Sequence, residues 1–201
     1  MAKVHPNAVI VLPKIQKPIS DGQVQVLTVW KKSLLFNCKG FTVYDAKGNL
    51  MFRVDNYISS NKADILLMDS VGKPLLTICR KKLTLADNWL VFKGETTMNP
   101  LIMVKKNVSF TKSKLLAQVT SGCTKRSGTD VLYKIEGSYD QRCCKVYDQK
   151  RRVIAEIKQK ESVVGKVSFG KDVFCLIVQP GVDPTVVMSL VILLEQMFGS
   201  K

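Results

Sequence analysis

Asp183–Gly199 reads DPTVVMSLVILLEQMFG, the most apolar stretch of a 201-residue chain that carries a formal net charge of +15. Asp183 can accept hydrogen bonds from the first free amides of a helix, and Pro184 at the first helical position forfeits no donor. Gly199 is a suitable stop. The pattern predicts a helix over 184–198, roughly 22 Å long at about 1.5 Å per residue. A bilayer core needs roughly 30 Å and about 20 apolar residues. The segment is too short, and it contains Glu195 and Gln196. Val186, Val187, Met188, Leu190, Val191, Ile192, Leu193, Leu194, Met197 and Phe198 cover nearly the whole circumference. Only Thr185, Ser189 and Gln196 form a narrow polar stripe. A helix apolar on every side belongs inside a protein, so the rest of the chain must wrap it.

What precedes the helix suits that task. Residues 1–22 hold three of the seven prolines and no sustained period, which predicts an extended arm. From 23 onward, short alternating runs follow one another at about 24–30, 40–45, 49–55, 64–69, 74–81, 88–93, 101–106, 114–120, 131–137, 143–148, 152–159 and 172–178. Rich in Val, Ile, Leu, Phe and Tyr, they read as about twelve strands of one domain over 23–201. Asp45 with Gly48, and Asp69 with Gly72, supply hairpin-turn chemistry. FTVYDAKGNLMFRV also aligns with CKVYDQKRRVIAEI, Tyr44-Asp45 matching Tyr147-Asp148, which suggests two similar halves, although the second copy lacks the turn glycine. Many strands followed by one hydrophobic helix predict a barrel threaded by a helix.

Thirty-one Lys and Arg against 16 Asp and Glu favour a polyanionic partner, nucleic acid or an anionic membrane face; the alternative is that the lysines simply coat the surface. The basic residues cluster as Lys31-Lys32, Arg80-Lys81-Lys82, Lys105-Lys106, Lys125-Arg126 and Lys150-Arg151-Arg152, each at a strand end or turn. If several converge on one barrel rim, each contributes about 1 kcal/mol near an anionic membrane. Trp30 before Lys31 gives an aromatic–basic pairing that also suits nucleic acid, whereas Trp89, in a strand with Val91, reads as core.

Chemistry is sparse. His5 is the only histidine and lies in the arm, which excludes histidine triads and histidine metal sites within one chain. The six cysteines form no C-x-x-C, so no metal or cofactor is expected and the thiols read as free. Strand alternation turns Cys143 and Cys144 to opposite faces. GKVSFGKD, residues 165–172, nearly matches a phosphate-binding loop. Asp172 stands where Mg²⁺ coordination needs Ser or Thr, and a strand rather than a helix follows. The first residues fit neither a signal peptide nor a myristoylation site. An intracellular, cytoplasmic protein is expected, peripheral at the plasma membrane or nuclear.

LTVWKKSLLFNCKGFTVYDAKGNLMFRVDNY, LLMDSVGKPLLTICRKKL, DNWLVFKGE, EGSYDQRCCKVYD, FGKDVFCLIVQPGVD and the terminal VVMSLVILLEQMFG together resemble the plant LURP-one-related family over nearly the whole chain. The resemblance implies a tubby-like fold: a closed antiparallel barrel of twelve strands around a hydrophobic C-terminal helix. Relatives by fold are the phosphoinositide-binding tubby domains and the phospholipid scramblases. It also implies an association with plant defence, and it supplies no catalytic residues. The expectation is a non-enzymatic module that docks on anionic phosphoinositide membranes through Lys31, Lys32, Arg80, Lys81 and Lys82. The alternatives are a nucleic-acid-binding regulator and a structural protein-interaction domain.

Overall fold

The structure, a computed structural model, describes residues 22–35, 38–57, 64–81, 87–108, 114–122, 130–160 and 170–199. The expected arm, apart from Gly22, lies outside them, as do His5, Cys123, Lys125, Arg126 and most of the near-phosphate-loop segment.

Twelve strands precede one helix: β1 Gln25–Trp30, β2 Cys38–Tyr44, β3 Leu50–Tyr57, β4 Ile65–Asp69, β5 Pro74–Arg80 and β6 Asn88–Lys93. There follow β7 Ile102–Lys106, β8 Leu115–Ser121, β9 Val131–Ser138, β10 Cys143–Asp148, β11 Val153–Gln159, β12 Val173–Val178 and α1 Pro184–Phe198. All twelve strand positions read from the alternation are occupied. Each strand pairs antiparallel with its sequence neighbours, and β1 closes on β12 from Gln25↔Val178 to Trp30↔Val173. Closure leaves no edge strand to protect.

Strand alternation sorts the side chains. In β12, Phe174, Leu176 and Val178 are fully buried while Val173, Cys175 and Ile177 face outward. Leu27 and Val29 of β1 do the same. These inward residues and the helix make one core. Nine helix residues, from Val187 to Met197, are buried. The polar stripe reaches water only towards its ends, where Thr185 is half-buried and Gln196 exposed; Ser189 is fully buried and donates to the Val186 carbonyl at 2.6 Å, satisfying itself within the helix. Asp183 caps the helix as expected, accepting from the Thr185 amide at 2.8 Å. Gly199 stops it in an extended rather than left-handed conformation (φ −62°, ψ 143°), with its amide closing on the Glu195 carbonyl.

The matched hairpins share one turn. Asp45 Oδ1 accepts from the amides of Lys47 and Asn49, and Asp148 Oδ1 from those of Lys150 and Arg152. A register shift follows Val43 in one and Val146 in the other. Arg151 takes the glycine's place at φ 62°, against 85° for Gly48. Asp69 builds the same turn between β4 and β5, with Gly72 at φ 90°. The matched hairpins are β2–β3 and β10–β11, eight strands apart in a twelve-strand barrel, where a duplicated half would place them six apart. The internal match therefore reports a recurring turn, not two equivalent halves.

Candidate functional site

Antiparallel order sends every turn to one of two barrel ends. The end where α1 begins carries the three Asp-capped turns and hence Lys150, Arg151 and Arg152. The end where α1 finishes carries the residues that end or follow β1, β5 and β7: Lys31 and Lys32, Arg80 and Lys81, Lys105 and Lys106. Lys82 lies outside the described residues. The described candidates thus share one end, but not one spot. Three strands, β2 to β4, separate Lys31-Lys32 from Arg80-Lys81 around the rim.

Their side chains differ in what they are free to do. The Lys31 ammonium is 2.6 Å from Glu195 Oε1 in the last turn of the helix. Its amide also donates to the Asp172 carbonyl at 2.7 Å. Lys31 therefore ties β1 and β12 to the plug. Lys32 is exposed, its ammonium 5.1 Å from the Trp30 ring centre. Arg80 is exposed and 3.1 Å from Asp87, which also accepts from Trp89 Nε1 at 3.2 Å. Trp89 itself is buried, as the strand pattern predicts. The Lys106 ammonium donates to the Met197 carbonyl at 2.6 Å and sits 4.5 Å from the Phe198 ring centre, a second tie on the helix C-terminus. A cation there complements the helix dipole.

Sequence reasoning did not find the group around Glu195. Arg142, only 6% exposed, lies between the rings of Tyr139 and Phe174, 4.2 and 4.5 Å from their centres. Its guanidinium donates to the carbonyls of Lys171 (2.9 Å) and Tyr139 (3.5 Å) and approaches Glu195 Oε2 at 3.7 Å. The Tyr139 hydroxyl donates to the same oxygen at 3.0 Å. Burial, with the Glu195 charge adding and Arg142 opposing, pushes the Tyr139 phenol well above its ordinary range, so it stays a donor. A carboxylate in an otherwise apolar helix was the available signal, since a buried charge needs a partner. Its partners, 53 and 56 residues away, carry no local signature.

The same end exposes apolar surface. Trp30 is 40% exposed, Leu34 48% and Leu35 38%, all within a few residues of Lys32. Val24 and Val26 continue the exposed face along β1. The result is a lip in which an indole and two leucines alternate with an ammonium. The pattern was visible as WKKSLL, but only the structure shows that the leucines stay outside the core.

Cys143 is exposed and Cys144 buried, as alternation predicts; Cys143, Cys144 and Cys175 are free thiols. Burial, with Cys143 adding, pushes the Cys144 thiol up to about 12. No described helix is long and apolar enough to cross a membrane.

A family model described as LURP-one-related matches residues 25–195, from the first barrel strand into the last helical turn. Protein LURP-one-related 8 of Arabidopsis thaliana is 51% identical, the match spanning all of both chains. LURP-one-related 17 of the same plant is 43% identical over 89% of this chain and 85% of its own. An Arabidopsis protein solved by X-ray crystallography superposes with a TM-score of 0.63 at 25% identity, over 87% of this chain and 91% of its own.

Proposed function

The chain belongs to the LURP-one-related family, and from that premise we propose that it is a non-enzymatic module that docks reversibly on anionic, phosphoinositide-containing membranes in plant stress or defence signalling. The observation that carries this reading is the lip of exposed Trp30, Leu34 and Leu35 beside Lys32, on the barrel end that also bears Arg80 and Lys81. Indole rings partition to the membrane–water boundary because one edge is apolar and the other can hydrogen-bond. Leucines beside them add buried area. Lysine and arginine near an anionic leaflet each contribute about 1 kcal/mol, weakened by salt. Lys31, held by Glu195, belongs to the scaffold, so the docking set is Lys32, Arg80 and Lys81, with Lys82 beyond the described residues.

Sedimentation with phosphatidylcholine vesicles of graded phosphoinositide content tests this. Binding at low salt should rise with phosphoinositide content. Lys32→Glu or Arg80→Glu should each weaken it about fivefold or more, the factor that 1 kcal/mol represents. Trp30→Ala should weaken it without changing the salt slope. No binding at low salt, or binding indifferent to all three changes, refutes the reading. A mobility shift of duplex DNA at lower protein concentration than vesicle binding would replace it with nucleic-acid recognition.

A further inference from the structure

The opposite end of the barrel holds a cavity of about 580 Å³, between the first turns of α1 and the ends of β7, β9 and β11. That volume falls within the roughly 300–1,000 Å³ of small-molecule sites, and barrel mouths are common places for them. Its walls are apolar: Leu101, Leu132, Ile154, Val182, Val186 and Leu190. It opens at the exposed Gln149-Lys150 turn and Gly181 and reaches Leu190, which is fully buried mid-helix. Val186 and Leu190, spaced i, i+4, lie on one line about 6 Å long on the helix face, and Val182 adjoins them just before the N-cap. The cavity is therefore apolar below a polar mouth.

Four charged side chains line that mouth: Asp148, Lys150, Arg152 and Asp183. Asp148 is saturated. It accepts from the amides of Lys150 and Arg152, and the Arg152 guanidinium pairs with it at 2.7 Å. Asp183 is engaged in capping the helix. Lys150 makes no ion pair with any described residue, and the hydroxyl of Tyr133, which also lines the cavity, makes no hydrogen bond to one. Burial first, then Asp148 and Asp183, raise the Tyr133 phenol, so it keeps its proton and can donate. An ammonium and a hydroxyl donor at the mouth of an apolar cavity suit an anionic head on a hydrocarbon tail.

The geometry points to this cavity as a binding site for one long-chain carboxylate, its hydrocarbon tail along Val186 and Leu190 and its carboxylate at Lys150 and Tyr133. Burial of the tail supplies the affinity, and the mouth selects acid over alcohol. The site stands at the other barrel end from the membrane-facing lip and does not depend on it.

Fluorescence titration of the full chain with cis-parinaric acid, below its micellar concentration, tests the assignment. One saturable site is expected, with hexadecanoate displacing the probe at least tenfold better than hexadecanol. Val186→Phe, from a half-buried position, should fill the cavity and lower affinity tenfold or more. Leu132→Phe serves the same purpose if Val186→Phe does not fold. Lys150→Gln should weaken hexadecanoate several-fold and leave hexadecanol unchanged. Lys32→Glu should leave all of these values unchanged, which separates this site from vesicle docking. No saturable binding, or equal affinity in the wild type and a folded filled variant, overturns the site. Equal displacement by acid and alcohol overturns the carboxylate assignment.

Discussion

Replacing Glu195 by Gln removes the charge on which three side chains from two barrel segments converge at the helix end. In the folded protein Glu195 faces the Lys31 ammonium at 2.6 Å, the Tyr139 hydroxyl at 3.0 Å and the Arg142 guanidinium at 3.7 Å. Its side chain is 11% exposed and that of Arg142 is 6% exposed, so water cannot take the carboxylate's place beside Arg142. Lys31, at 30%, can rehydrate. Breaking a buried pair by removing one partner costs about 3–5 kcal/mol, because the other charge is left uncompensated. The amide oxygen of Gln still accepts from Tyr139, so a loss of about 2–3 kcal/mol is expected. In a domain of this size that lowers Tm by about 4–12 °C. Urea unfolding followed by Trp fluorescence measures it. Arg142→Met should itself destabilise, since Arg142 also donates to two carbonyls. The double variant should lose less than the sum of the single losses by about 1–2 kcal/mol, the signature of a coupled pair. A Glu195→Gln loss below about 0.5 kcal/mol, or single losses that add to within that margin, would refute the claim that this ion cluster pins the plug.

Four further outcomes follow from the fold. Leu190→Asp, which sets a charge against the fully buried middle of the helix, should abolish cooperative unfolding; a folded variant, seen as a native circular-dichroism melt, would contradict the plug assignment. Gly48→Ala and Gly72→Ala should each cost about 1–2 kcal/mol in urea unfolding, from backbone conformation alone, because no atom stands within 4 Å of the added methyl. Cys143 should react with a disulfide reagent in the native state much faster than Cys144, tested in variants that retain one thiol of the pair. Cys144 also predicts alkaline sensitivity. Its folded value, about 12, lies above the ordinary 9.0, so its contribution is complete below pH 9.0 and is lost as pH rises towards 12. Cys144→Ala should flatten stability against pH in that window by up to about 1.4 kcal/mol per unit.

The barrel and its plug were legible because their signals are local. Alternation is a property of five to eight adjacent residues, and each run that alternates forms a strand. The helix was legible from its all-round apolarity and its Asp183-Pro184 start. The site was less so. WKKSLL shows which residues lie together, but exposure of Leu34 and Leu35 depends on what else covers the rim. Lys31 and Lys32 look equivalent in sequence; one is held by Glu195 and the other reaches solvent over Trp30. Arg142 gave no sign at all, since an arginine in EGSYDQRCC reads as a solvated turn residue.

The sequence by itself determined the inventory: twelve strands, one buried helix, an excess of basic residues at the turns, and membership of a family. Periodicity and turn chemistry act over a few residues, and the chain spells them out. Only the tertiary structure decided which turns share an end, which cations are committed to the helix, and where a cavity remains between helix and wall. Those depend on strand direction and on the fit between surfaces from distant parts of the chain. A closed barrel sets both at once, when β1 meets β12 and the plug is in place.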